Sequence, residues 1–144
     1  MTARRKAKPA GAKRAGLSKK NAEKLIKTQA QRVTGEDLEK VLSKSEAIQR
    51  KVESGGPLSG FIEDVKLLIA IVQDYWSGKY KAVPFWTIAA IVVALLYVLN
   101  PFDIIPDFIP VIGLIDDAAV VAACLLMVHE DLRNYRQWKM DNPD

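Results

Sequence analysis

The chain has 144 residues, of which 49% are hydrophobic and 26% charged, and its formal net charge is +4. That is enough for one domain with tails. One cysteine, Cys124, excludes an intrachain disulfide and gives no sign of an oxidising compartment.

The charge is unevenly spread. Between Met1 and Lys20 stand Arg4, Arg5, Lys6, Lys8, Lys13, Arg14, Lys19 and Lys20, with no acidic residue. The remainder of the chain is net acidic, so the high pI belongs to the arm. Residues 1–20 have no apolar periodicity and read as a disordered basic tail. By charge alone such an arm suits anionic lipid or nucleic acid, or merely aids solubility. Anionic lipid is the partner expected of it, and nucleic acid is not. The first apolar run begins near residue 82, too late for a signal peptide.

Residues 21–56 are expected to form an N-terminal helical segment. LSKKNAEKLIKTQAQRV predicts a weak helix with Ser18 as N-cap and few apolar residues to give it a face. TGEDLEKVLSKSEAIQRKVE predicts a stronger one. Thr34 and Asp37 resemble a capping box, and Leu38, Val41, Leu42, Ile48 and Val52 make a single stripe. Ser54-Gly55-Gly56-Pro57 stops it.

The main helical domain is expected over residues 57–139, with a short C-terminal tail at 140–144. GFIEDVKLLIAIVQDYWSGKY predicts an amphipathic helix. Phe61, Val65, Leu68, Ile69, Val72, Tyr75 and Trp76 line one side, and Glu63, Asp64, Lys66, Gln73 and Asp74 mark the other. Gly78 ends it. From Ala82 to Phe102 the chain carries no charge. Phe85–Phe102 as a helix covers roughly 27 Å, close to the hydrocarbon thickness of a bilayer. Lys79, Lys81 and Trp86 at its start and Tyr97 near its end stand where interfacial anchors would. A second uncharged run, Ala118 to Val128, is too short to span alone.

Two helices apolar all round need neighbours on every side, and a small domain has few to offer. Lipid is therefore the expected surrounding. Lys79 and Lys81 precede the first run, and Arg133, Arg136 and Lys139 follow the second. The link between the runs has Asp103, Asp107, Asp116 and Asp117 and no cation. The positive-inside rule then predicts a helical hairpin with both termini in the cytoplasm. A full second span would place Asp116 and Asp117 at depth, at about 2.5–3.5 kcal/mol each; a shallow re-entrant limb avoids that cost.

Within the link, Asn100 can cap a short turn with Pro101 at its first position and Asp103 three residues on. Pro106 ends that turn, Asp107 caps the next, and Pro110 breaks it. Gly113 allows a reversal. Asp116 caps the last apolar helix, and Asp117 sits in its first turn. Every aspartate thus has a structural role. The alternative is that Asp103, Asp107, Asp116 and Asp117 converge on a divalent cation, although their spacing matches no calcium loop. Catalysis has less support. His129 and Cys124 do not share a helix face, and no HExxH, phosphate loop or GxSxG occurs. No cofactor is expected.

LNPFDIIPDFIPVIGLIDDAAVV also resembles the signature of the YkvA-like family, domain of unknown function 1232. That signature runs Pro-Ile-Asp-Leu-Ile-Pro-Asp, Phe-Ile-Pro, Gly and a paired Asp-Asp. Its elements fall on Pro101, Asp103, Ile105, Pro106, Asp107, Phe108, Ile109, Pro110, Gly113, Asp116 and Asp117, with Phe102 where isoleucine is more usual. The likeness spans roughly Phe61 to Trp138. It implies membrane association and a compact helical unit around the motif, and it implies no reaction. The expectation is an all-α bundle with two strongly apolar helices joined by a Pro/Asp-rich turn, acting as a non-enzymatic membrane anchor or interaction module. The alternatives are a soluble helical adaptor or dimerisation module, and a cation-binding carboxylate cluster.

Overall fold

The computed structural model describes residues 19–101 and 115–143. The basic tail up to Ser18, and Asp103, Pro106, Asp107, Pro110 and Gly113 of the link, lie outside the described residues. Within them the chain is all-helical. Helix α1 covers residues 19–30. It is followed by α2 (Gly35–Ser43), α3 (Ser45–Glu53), a 3-10 turn (Pro57–Phe61), α4 (Ile62–Ser77), α5 (Phe85–Leu99), α6 (Asp117–Met127) and α7 (His129–Asp141).

Helix α1 has a better face than its leucine and isoleucine suggest. Ala22, Leu25, Ile26, Gln29 and Ala30 are all buried, at the i, i+3, i+4 spacing of one stripe. Alanine and glutamine supply the part of the face that a search for large apolar residues overlooks.

The helix expected over residues 34–53 is two helices. Thr34 starts α2, and its N–H donates to Asp37 Oδ2 at 2.9 Å. At Lys44 the backbone leaves helical geometry (φ −108, ψ 13). Its N–H is shared between the carbonyls of Lys40 and Val41, and the Ser43 hydroxyl also donates to the Lys40 carbonyl. This crowding of one acceptor loosens the ladder. The apolar positions Leu38, Val41, Ile48 and Val52 stay in phase and buried across the break, so the pattern reads as one helix.

Helix α4 buries Val65, Leu68, Ile69, Ile71 and Val72. Gly78, at φ 87, closes it in the left-handed conformation. Two expected assignments change here. Trp76 is exposed, and Ile71, which the expected stripe left out, is fully buried. Asp74, expected on the polar side, turns inward toward α7.

The centre of the bundle is α5. Every residue from Thr87 to Val98 is buried, and α2, α3, α4 and α6 all pack on it. Small residues make the close approach to α6 feasible: Ala89, Ala90 and Ala94 on α5 face a core that includes Ala123 and Cys124, with Cys124 Sγ 3.8 Å from the Ala90 carbonyl.

This corrects the premise that so small a region cannot surround an apolar helix. Four amphipathic or apolar neighbours cover α5 without lipid. At 15 residues it is roughly 22 Å long. No helix among the described residues is long and apolar enough to cross a membrane. Tyr97, expected as an interfacial anchor, is fully buried.

Helix α6 continues into α7 through a bend at Val128 (φ −108, ψ 17), whose N–H still donates to the Cys124 carbonyl. α7 then brings Leu132 and Tyr135 into the core.

Candidate functional site

Two groups of polar side chains are built into the bundle, one at each end of α5.

The first lies where α5 ends and α6 begins. Asn100 ends α5, its N–H donating to the Leu96 carbonyl, and Pro101 follows it. At the far side of the link, Asp116 is the N-cap of α6, and its Oδ1 accepts from the Ala118 N–H at 3.3 Å. Asp117 occupies the first turn, 3.9 Å from Lys51 Nζ on α3. Asp116 and Asp117 border a cleft of about 230 Å³ whose other walls are Lys51, Ser54, Gly55, Pro57 and Leu58. Tyr97 holds the two helices in register. Its hydroxyl donates to the Ile115 carbonyl at 2.6 Å and accepts from the Ile115 N–H at 2.8 Å. One phenol thus satisfies both backbone groups of the residue entering α6.

Burial raises the Asp117 carboxyl above its ordinary range; Lys51 opposes this and Asp116 reinforces it. The raised native value means that folding favours the protonated form. Asp117's contribution to stability is therefore fullest in acid and declines as pH rises from the unfolded carboxylate range, about pH 4, through the native value. Asp117→Asn is expected to flatten that decline, gaining on the parent chain as pH rises in parallel urea titrations. Curves separated by a constant offset would refute this.

Among the described residues no group of three histidine, cysteine, aspartate or glutamate side chains is placed to share a metal ion. Asp103 and Asp107, the other half of the expected carboxylate set, lie outside them.

The second group lies where α4 ends, α5 starts and α7 runs past. Asp74 accepts a 2.5 Å hydrogen bond from the Tyr135 hydroxyl and sits 3.8 Å from Lys139 Nζ. Tyr80, Tyr135 and Trp138 form an aromatic cluster, with Tyr80 centred 5.0 Å and 4.9 Å from the other two rings. Burial first, and then the bond to Asp74, hold the Tyr135 phenol far above its usual value. Thr87, in the first turn of α5, donates to Asp131 of α7. An open cleft of about 550 Å³ lies alongside, lined by Asp74, Lys79, Trp138, Lys139, Asp141, Asn142 and Pro143.

Sequence reasoning missed this group. The available signal was Ile71: once it is counted as buried, Asp74 falls three residues on, along the same face.

Cys124 and His129 belong to neither group. Cys124 is fully enclosed, and burial pushes its thiol up to about 12. His129 is exposed at the start of α7.

Comparison with known proteins bears on the first group. Residues 87–123, α5 to the middle of α6, match a family model described as protein of unknown function (DUF1232). The chain is 32% identical over 79 residues to the "Uncharacterized membrane protein YkvA" of Bacillus subtilis (strain 168), over 55% of this chain and 74% of that relative. No solved structure matches.

Proposed function

This chain belongs to the YkvA-like, DUF1232 family, and from that membership we propose that it is a small helical protein that associates with a membrane surface and acts by interaction rather than catalysis. The observation that carries this reading is the relative's description as a membrane protein, taken with an α5 that is already enclosed by protein. From Thr87 to Val98, α5 has no surface left to offer the bilayer core, so contact is made by the outside of the bundle. The basic arm adds attraction to anionic lipid, at about 1 kcal/mol per cation near the surface. The absence of catalysis is supported by the inert thiol of Cys124 and by polar groups that are absorbed in caps and interhelix bonds.

Fractionation of cells expressing the full chain tests this. The protein is expected in the membrane pellet and to be released by an alkaline carbonate wash. Resistance to carbonate would mean a span and overturn the surface version. Recovery in the soluble fraction before any wash would favour the second reading, a helical adaptor. That reading is supported by the open cleft between α4 and α7, with Trp138 in its wall.

A further inference from the structure

The geometry points to the α4–α5 corner, Trp76 to Trp86, as the surface that docks on anionic lipid, an inference that rests on the membrane-surface reading above.

Three of the large exposed hydrophobic side chains, Trp76, Phe85 and Trp86, belong to this corner, at 47%, 44% and 44% exposure. Scattered exposed apolar residues need no explanation, but aromatic residues gathered at one corner do. Trp76 lies in the last turn of α4, and Phe85 and Trp86 in the first turn of α5. Contact between the Tyr75 and Phe85 rings, 6.2 Å apart, holds the two helix ends together. Ala82 and Pro84 between them are also exposed. Tryptophan is the residue that favours the headgroup region, with its ring in apolar surroundings and its N–H among polar ones.

The charge at the corner has one sign along the chain. Lys79 and Lys81 are exposed, and no acidic residue occurs from Tyr75 to Pro101. Lys81 Nζ stands 4.1 Å over the Tyr75 ring, the ring that Phe85 also contacts. The first turn of α5 adds the positive end of its helix dipole. The nearest carboxylates along α2 are Glu36 and Asp37, since Gly35 borders Trp76; Asp37 is held by the Thr34 N–H. On α4 itself, Asp74 is held by Tyr135 and Lys139, and on α7 Asp131 is held by the Thr87 hydroxyl.

A second copy of the chain suits this surface less well. A two-fold interface centred here would bring Lys79 and Lys81 against the same lysines of the other copy, and like charges opposed at an interface are costly. A sheet of anionic headgroups matches both the lysines and the aromatic rings.

Sedimentation of the full chain with vesicles of equal parts phosphatidylcholine and phosphatidylglycerol tests this, with pure phosphatidylcholine vesicles in parallel. Trp76→Ala, Phe85→Ala and Trp86→Ala combined are expected to weaken binding to the mixed vesicles on the order of tenfold or more. Lys79→Gln with Lys81→Gln is expected to cost roughly fivefold per lysine and to affect only the anionic vesicles. Leu126→Ala with Met140→Ala, exposed apolar residues elsewhere, should change nothing. Brominated acyl chains should quench the parent chain's tryptophan emission, and less of it in Trp76→Phe with Trp86→Phe. If the parent chain binds and the triple variant, folded by circular dichroism, binds equally, the corner is not the docking surface, although membrane association stands. If the parent chain binds neither vesicle, both the inference and the reading beneath it fall. If the parent chain instead self-associates and the triple variant does not, the corner is an interface between copies.

Discussion

Tyr97→Phe is expected to lower the free energy of unfolding by about 2–4 kcal/mol. The ring is fully buried and phenylalanine refills its volume, so packing is retained. What disappears is the pair of hydrogen bonds to Ile115, at 2.6 and 2.8 Å. Both partners are backbone groups of a residue that is itself 5% exposed. Each stranded buried group costs about 1–3 kcal/mol, since the unfolded chain hydrates it and the native bundle does not. Equilibrium unfolding in urea reads the loss directly, with helix content by circular dichroism confirming that the fold persists. A loss below about 0.5 kcal/mol would mean that the Ile115 amide and carbonyl find other partners. The substitution also tests how α6 is placed. Tyr97 joins the last turn of α5 to the residue before the Asp116 cap, so its loss should raise amide exchange across the first turn of α6 before it affects α2 or α3.

Leu95→Ala is expected to cost about 3 kcal/mol, within the 2–5 kcal/mol range of enclosed leucines, whereas Leu126→Ala should stay within about 0.5 kcal/mol. Leu95 is fully buried on α5, and Leu126 is 60% exposed on α6. Both lie in apolar runs that look alike in sequence. The difference comes from enclosure: removing Leu95 leaves a cavity among α5's neighbours, while Leu126 has few atoms to lose contact with. The pair, measured in detergent-free buffer, decides whether α5 is surrounded by protein. A Leu95→Ala loss as small as that of Leu126→Ala would show that it is not.

Much of the helical layout was readable from local pattern. The capping pair Thr34 and Asp37, the stop at Gly55-Gly56-Pro57, the left-handed Gly78 and the start of α6 after Asp116 all depend on residues within four positions of one another. Such interactions are written in the chain itself. The bend at Lys44 was not readable, because the apolar positions keep their phase through it. Asp74 was misplaced for a related reason: its neighbour Ile71 did not fit the stripe drawn through Val65, Leu68 and Val72. Tyr97 shows the clearest limit. A tyrosine near the end of an apolar run is what an interfacial anchor looks like, and it is equally what a buried phenol bonded to a distant backbone looks like. Its partner, Ile115, is 18 residues away and carries no mark in sequence.

By itself, then, the sequence determined the all-α class, most helix boundaries, the basic arm and the Pro/Asp-rich signature of the family, because each is set by composition or by neighbours along the chain. Only the tertiary structure decided what surrounds Phe85–Leu99. An uncharged helix is satisfied equally by acyl chains or by a ring of apolar stripes, since both remove the same surface from water. The choice rests on α2, α3, α4 and α6 closing around it. Once they do, the large side chains that α5 leaves exposed are Phe85 and Trp86 at its start.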